Sequence, residues 1–92
     1  MMTRDNLMQY LSEKYKGMFL RTTEEFDGTQ RGIWTTGESS PDSKSGMPLF
    51  SYYTDSSSYQ FGVHKELVAI LDDAGWCAEW YDAGTVMLWQ DC

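Results

Sequence analysis

The sequence holds one histidine, His64, and two cysteines, Cys77 and Cys92. A Cys–His nucleophile pair would have to bring one of those cysteines beside that histidine, and no GxSxG, Walker A or GxGxxG sequence is present. Enzymatic chemistry is not expected. Positions 64, 77 and 92 lack the close ligand pairs of structural zinc sites, and Asp72-Asp73 lacks the spaced carboxylates of a calcium loop. Neither a metal nor a cofactor is expected. No apolar run approaches the roughly 20 residues of a membrane helix. Met1-Met2-Thr3-Arg4-Asp5-Asn6 has no apolar stretch behind its charge, unlike a signal peptide. The expectation is a soluble, cytoplasmic protein without membrane contact, its cysteines reduced thiols.

Positive charge is the other scarce quantity. Seven basic residues face fourteen acidic ones, for a net charge of −7. All seven (Arg4, Lys14, Lys16, Arg21, Arg31, Lys44 and Lys65) lie at or before position 65, whereas residues 66–92 carry Glu66, Asp72, Asp73, Glu79, Asp82 and Asp91 with no cation among them. Nucleic-acid binders usually show the opposite sign. An acidic balance serves solubility in any small protein, and its concentration at one end also suits attraction to a basic partner.

What is present is enough for one domain over residues 1–92. At this length about two-thirds of the unfolded surface can be buried, which supports one modest core. Leu7, Met8, Leu11 and Tyr15 form one stripe of a helix from Arg4 to Lys16, capped by Thr3 or Asp5 and stopped at Gly17. Met18 to Phe26 is β-rich, Asp27-Gly28 signals a turn, and Gly32 to Thr36 reads as the returning strand. Gly37 to Gly46 is a polar loop. Pro48 to Thr54 and Tyr59 to Gly62 read as strands joined through Asp55 to Ser58. A second helix carries Leu67, Val68, Ile70, Leu71 and Ala74 between a His64 cap and a Gly75 stop. Cys77 to Tyr81 and Thr85 to Gln90 form a closing hairpin around Asp82-Ala83-Gly84. The order α-β-β-β-β-α-β-β predicts an α+β fold, with an antiparallel sheet of five to six strands and two helices on one face.

Fourteen aromatic residues exceed what a small core needs. Trp34, Phe50, Phe61, Trp80 and Trp89 are expected in the core. Adjacent strand residues point to opposite faces, so one ring of Tyr52-Tyr53 and one of Trp80-Tyr81 must leave the helix-covered face. Such rings make good anchors for a protein partner. Together these features predict a binding surface. Asp72, Asp73, Glu79, Asp82 and Asp91 would face a Lys/Arg-rich groove that normally holds a nucleic-acid backbone, with Trp80 or Tyr81 as apolar anchor. Arg21, Arg31 and Lys44 would make a secondary contact to phosphate, guide RNA included.

A compact α+β domain below a hundred residues, acidic, aromatic-rich and without catalytic machinery, resembles the small phage-encoded anti-defence proteins of the anti-CRISPR type. The helix-Gly-Trp-hairpin segment VHKELVAILDDAGWCAEWYDAGTVMLW, Val63 to Trp89, also looks like a recurrent module of mobile-element proteins. The resemblance lies in the whole-chain profile and carries over no binding residue. It implies a stoichiometric inhibitor, monomeric or weakly dimeric, of an RNA-guided surveillance complex of type I in the host cytoplasm. Blocking of target DNA binding or guide pairing would be its mode. Two other classes fit the same residues: an anti-defence protein that sequesters a small signalling molecule, and a structural or regulatory subunit of a larger assembly.

Overall fold

A computed structural model describes residues 2–37, 41–44, 46–51 and 57–90. The first helix, α1 (Arg4–Lys14), is capped by Thr3, whose Oγ1 accepts from the Asn6 amide at 3.2 Å. Leu7 and Leu11 are its buried stripe. It stops two residues earlier than the periodicity predicts, because Tyr15 already leaves helical backbone (φ −121°, ψ 86°) and tucks its ring into the core.

The segment read as β-rich is mostly something else. Only Arg21–Thr22 is a strand (β1), and Thr23–Asp27 winds into a short helix, α2. The cause is local: the Glu25 carboxylate reaches back to accept from the Thr22 amide at 3.2 Å, and Glu24 and Glu25 suit the positive end of the helix. Asp27-Gly28 therefore ends a helix rather than turning a hairpin.

Among the described residues the main sheet has four antiparallel strands, fewer than expected. They are β1, β2 (Ile33–Thr36), β5 (Trp76–Asp82) and β6 (Thr85–Gln90), in the order β1-β2-β6-β5. The 48–51 stretch makes only isolated bridges, Asp42 to Pro48 and Phe50 to Val63. Pro48 has no amide to donate to a ladder. Tyr52 to Thr54 fall outside the described residues. Tyr59–Gln60 (β3) pairs instead with Val63–His64 (β4) in a separate ribbon. Of the 55–58 stretch, Ser57 and Ser58 do form a turn, and Asp55 and Ser56 lie outside the described residues. The turn of the β3–β4 ribbon, however, is Phe61-Gly62. Both turn residues have positive φ (51° and 79°), the pattern of a type I′ hairpin. A Cβ at Gly62 would stand 2.9 Å from the Ser51 carbonyl oxygen and 3.0 Å from the Trp80 ring, so the ribbon packs against its neighbours only with glycine there.

The last helix, α3 (Lys65–Ala74), has both expected ends. His64 Nδ1 accepts from the Glu66 amide at 3.1 Å, and Gly75 closes it with φ 79°. Leu67 and Leu71 of α3 meet Leu7 and Leu11 of α1 over one face of the sheet, where Ile33, Val86, Leu88 and Trp76 point inward. Helices lie on both faces, however. Phe26 of α2 packs on the far side, 4.9 Å from the Trp34 ring and 5.0 Å from that of Tyr81. Trp34 and Trp89, expected in the core, are half-buried on that far face. Phe61 is 89% exposed, which overturns its core reading.

Candidate protein-binding edge

Strand β5 is an edge of the sheet: β6 pairs with one side, and no strand among the described residues pairs with the other. Its side chains alternate. Trp76, Ala78 and Trp80 belong to the helix-side core or pack against it, while Glu79 is exposed on the far face. The register slips between Trp80 and Asp82, so Tyr81 is the extra residue of a bulge. Its ring meets Phe26 on the far face and stays 60% exposed. The prediction that one of Trp80 and Tyr81 leaves the helix side is met by Tyr81.

Beside β5 on the helix side runs a groove of about 240 Å³. Val68, Leu71 and Asp72 of α3 form one wall, Ala78 and Trp80 of β5 the other, and Phe61 stands at its lip. Trp80 is fixed by its Nε1, which donates to the Phe61 carbonyl at 2.7 Å, and by an edge contact with Phe50 at 5.9 Å between ring centroids. That hydrogen bond ties the exposed turn to the sheet.

Four of the acidic and aromatic residues singled out from the sequence thus lie on β5 itself: Glu79, Trp80, Tyr81 and Asp82. Asp82 Oδ1 accepts from the Gly84 amide at 3.0 Å and so also serves the hairpin turn. Asp72 faces the groove. Asp73 lies on another side of α3, beside a second groove of about 210 Å³ that Met2, Tyr10 and Ile70 line. Asp91 is outside the described residues. The basic candidates occupy three separate segments. Arg21 is on β1, its guanidinium 5.9 Å from the Phe19 ring centroid. Arg31, with φ 76°, donates its amide to Glu24 at 3.4 Å. The Lys44 amide donates to Glu66 at 3.2 Å, at the start of α3.

Phe61 is the residue that sequence reasoning misplaced furthest, from the core to 89% exposure. The available signal was the Phe61-Gly62 pair between two short polar-apolar runs, which reads as a turn once β4 is recognised as the lead into α3. A second correction concerns Cys77, which is disulfide-bonded rather than a reduced thiol. The sequence offers one other cysteine, Cys92, which lies outside the described residues.

Among the described residues no group of His, Cys, Asp or Glu is arranged to hold a metal ion, and no helix is long and apolar enough to cross a membrane. Compared with protein-family models, with curated proteins and with solved structures, the chain has no match.

Proposed function

We propose that this chain is a stoichiometric, non-enzymatic protein-binding inhibitor of a host nucleic-acid machine, with a type I RNA-guided surveillance complex as the first candidate. The observation that carries the reading is the character of β5 and its groove: Asp72, Glu79 and Asp82, within the cation-free residues 66–92, around exposed Phe61 and Tyr81. Carboxylates there take the place of phosphates in a basic groove and speed encounter, while the rings supply the contact that holds. The small-molecule reading has no comparable support, since both described grooves fall below the roughly 300–1,000 Å³ typical of ligand pockets.

The test is a tagged pull-down from a host lysate bearing the complex, washed at low and then high salt, with and without ribonuclease. One stoichiometric nucleoprotein complex, released by salt and lost on charge reversal at Glu79 and Asp82, is the expected result. Release by ribonuclease instead would move the contact to RNA and to Arg21, Arg31 or Lys44. Recovery of no complex would refute the proposal. The host cytoplasm is part of the same proposal.

A further inference from the structure

The second groove lies on the α1 side of α3, and its volume of about 210 Å³ gives room for one long side chain rather than for an ordinary ligand. Its floor is fixed at Met2, whose amide donates to the Ala74 carbonyl at 3.0 Å and whose carbonyl accepts from Trp76 Nε1 at 2.9 Å. Half-buried Met2 and Ile70 make the walls apolar, and Tyr10 of α1 stands beside them with its ring 39% exposed. The mouth of the groove is negative for two reasons. Asp73 sits in the last turn of α3, where the helix carbonyls already carry partial negative charge, and that turn holds no basic residue. A carboxylate so placed costs stability unless a cation covers it. Among the described residues the Asp73 carboxylate and the Tyr10 hydroxyl make no hydrogen bond or ion pair. Two cations of α1 are engaged elsewhere: Arg4 pairs with Glu24 at 2.8 Å, and Lys14 stands over the Tyr15 ring.

We infer that this groove takes the side chain of an arginine of the partner protein. Its methylenes lie on Met2 and Ile70, since a long basic side chain buries an apolar stem while its head stays in water. The guanidinium donates two parallel hydrogen bonds to the Asp73 carboxylate, and its flat face rests on the Tyr10 ring. Lysine offers the same charge but neither the fork nor the flat face. Arginine is also among the residues that most often anchor protein interfaces from within a pocket. The inference rests on the protein-docking reading above and adds a second contact, on the other side of α3 from β5.

The probe is an acetylated, amidated glycine-arginine-glycine tripeptide, titrated into the full chain and followed by amide chemical shifts. Expected is saturable binding in the millimolar range, with the largest shifts at Tyr10, Ile70 and Asp73. The same peptide with citrulline, the neutral counterpart of arginine, should not saturate, and the lysine peptide should bind more weakly. Asp73→Asn should weaken the arginine peptide by about threefold, the scale of an exposed ion pair, and Tyr10→Leu by a similar factor through loss of the ring. Both positions are exposed, and Asp73→Asn removes an acid that opposes the helix dipole, so the fold should survive each change. Asp27→Asn removes the same charge from α2 on the far face and should leave the affinity unchanged. Equal binding of the citrulline peptide would overturn the role of charge, and equal binding of the lysine peptide would overturn the choice of arginine. Shifts centred elsewhere, or an affinity that Asp27→Asn lowers as much as Asp73→Asn does, would overturn the groove. Failure of the titration with the nucleoprotein complex still captured refutes the arginine site and leaves the docking partner intact. Peptide binding without capture refutes that partner and leaves the site.

Discussion

Phe61 is held in two unfavourable states at once: left-handed backbone at φ 51° and a ring that is 89% exposed. The conformation costs a bulky residue on the order of 1–2 kcal/mol, and asparagine is the usual occupant of this turn position. The fold takes from Phe61 only its carbonyl, which accepts from Trp80, and any residue provides that. Phe61→Asn is therefore expected to hold or raise stability, by up to about 1 kcal/mol in urea denaturation, while partner capture falls. A loss of stability instead would show that the ring packs in the folded state. Gly62 is the opposite case. With φ 79° and the Ser51 carbonyl 2.9 Å from a would-be Cβ, Gly62→Ala should cost about 2 kcal/mol or more, read in the same denaturation series.

Element ends were legible in the sequence where their signals are local. Thr3 before α1, His64 before α3 and Gly75 after it each act through a hydrogen bond to a residue one to four positions away, so the pattern suffices. The α2 helix escaped because its capping signal, Thr22 with Glu25, sits in a run of β-favouring residues. The 48–51 stretch and the β3–β4 register escaped because they depend on distant partners, Val63 and Leu49 among them. For the binding edge, the acids and rings of β5 were visible as residue types, but which face each occupies waited on the bulge at Tyr81. A link between elements that no local pattern shows joins α1 to α3. The Tyr15 hydroxyl donates to Glu66 Oε2 at 2.5 Å, and the Lys44 amide donates to Oε1. Burial works against the Glu66 carboxylate, yet the Tyr15 hydrogen bond and then the Lys44 amide outweigh it and hold its pKa below the ordinary 4.5. Burial first, and then the same carboxylate, push the Tyr15 hydroxyl upward. A folded pKa below the unfolded one means that Glu66 contributes stability above about 4.5, lost as pH falls through its lowered value. Tyr15→Phe should cost about 1–2 kcal/mol near pH 7. The gap to the unsubstituted protein should be smaller at a pH low enough to protonate Glu66 in the folded protein than near pH 7. Denaturation curves at the two pH values check this, and a gap that widens in acid would contradict it.

At the scale of the whole molecule, charge does two jobs that a single substitution can separate. The −7 net charge keeps copies apart at long range in low salt. Salt of about 0.5 M screens that repulsion beyond a few ångströms, so a monomer that persists there owes its state to something shorter in reach. The sheet ends in a seven-residue strand with no further strand beside it among the described residues, a geometry that ordinarily invites pairing between copies. The short-range guard is Glu79, exposed at the middle of that strand and placed where two-fold pairing would bring it against its own counterpart. The unsubstituted protein is thus expected to sediment as a monomer at about 0.1 mM in both low and high salt. Glu79→Thr removes the like-charge contact and adds a residue with strand preference, while total charge changes by only one unit. This variant should shift toward a dimer at the same concentration, with new amide protection confined to β5. A variant with an equal change in net charge away from the edge, Glu13→Thr on the exposed face of α1, should stay monomeric. If both variants dimerise, long-range charge alone governs association; if neither does, the outer side of β5 is not available for pairing.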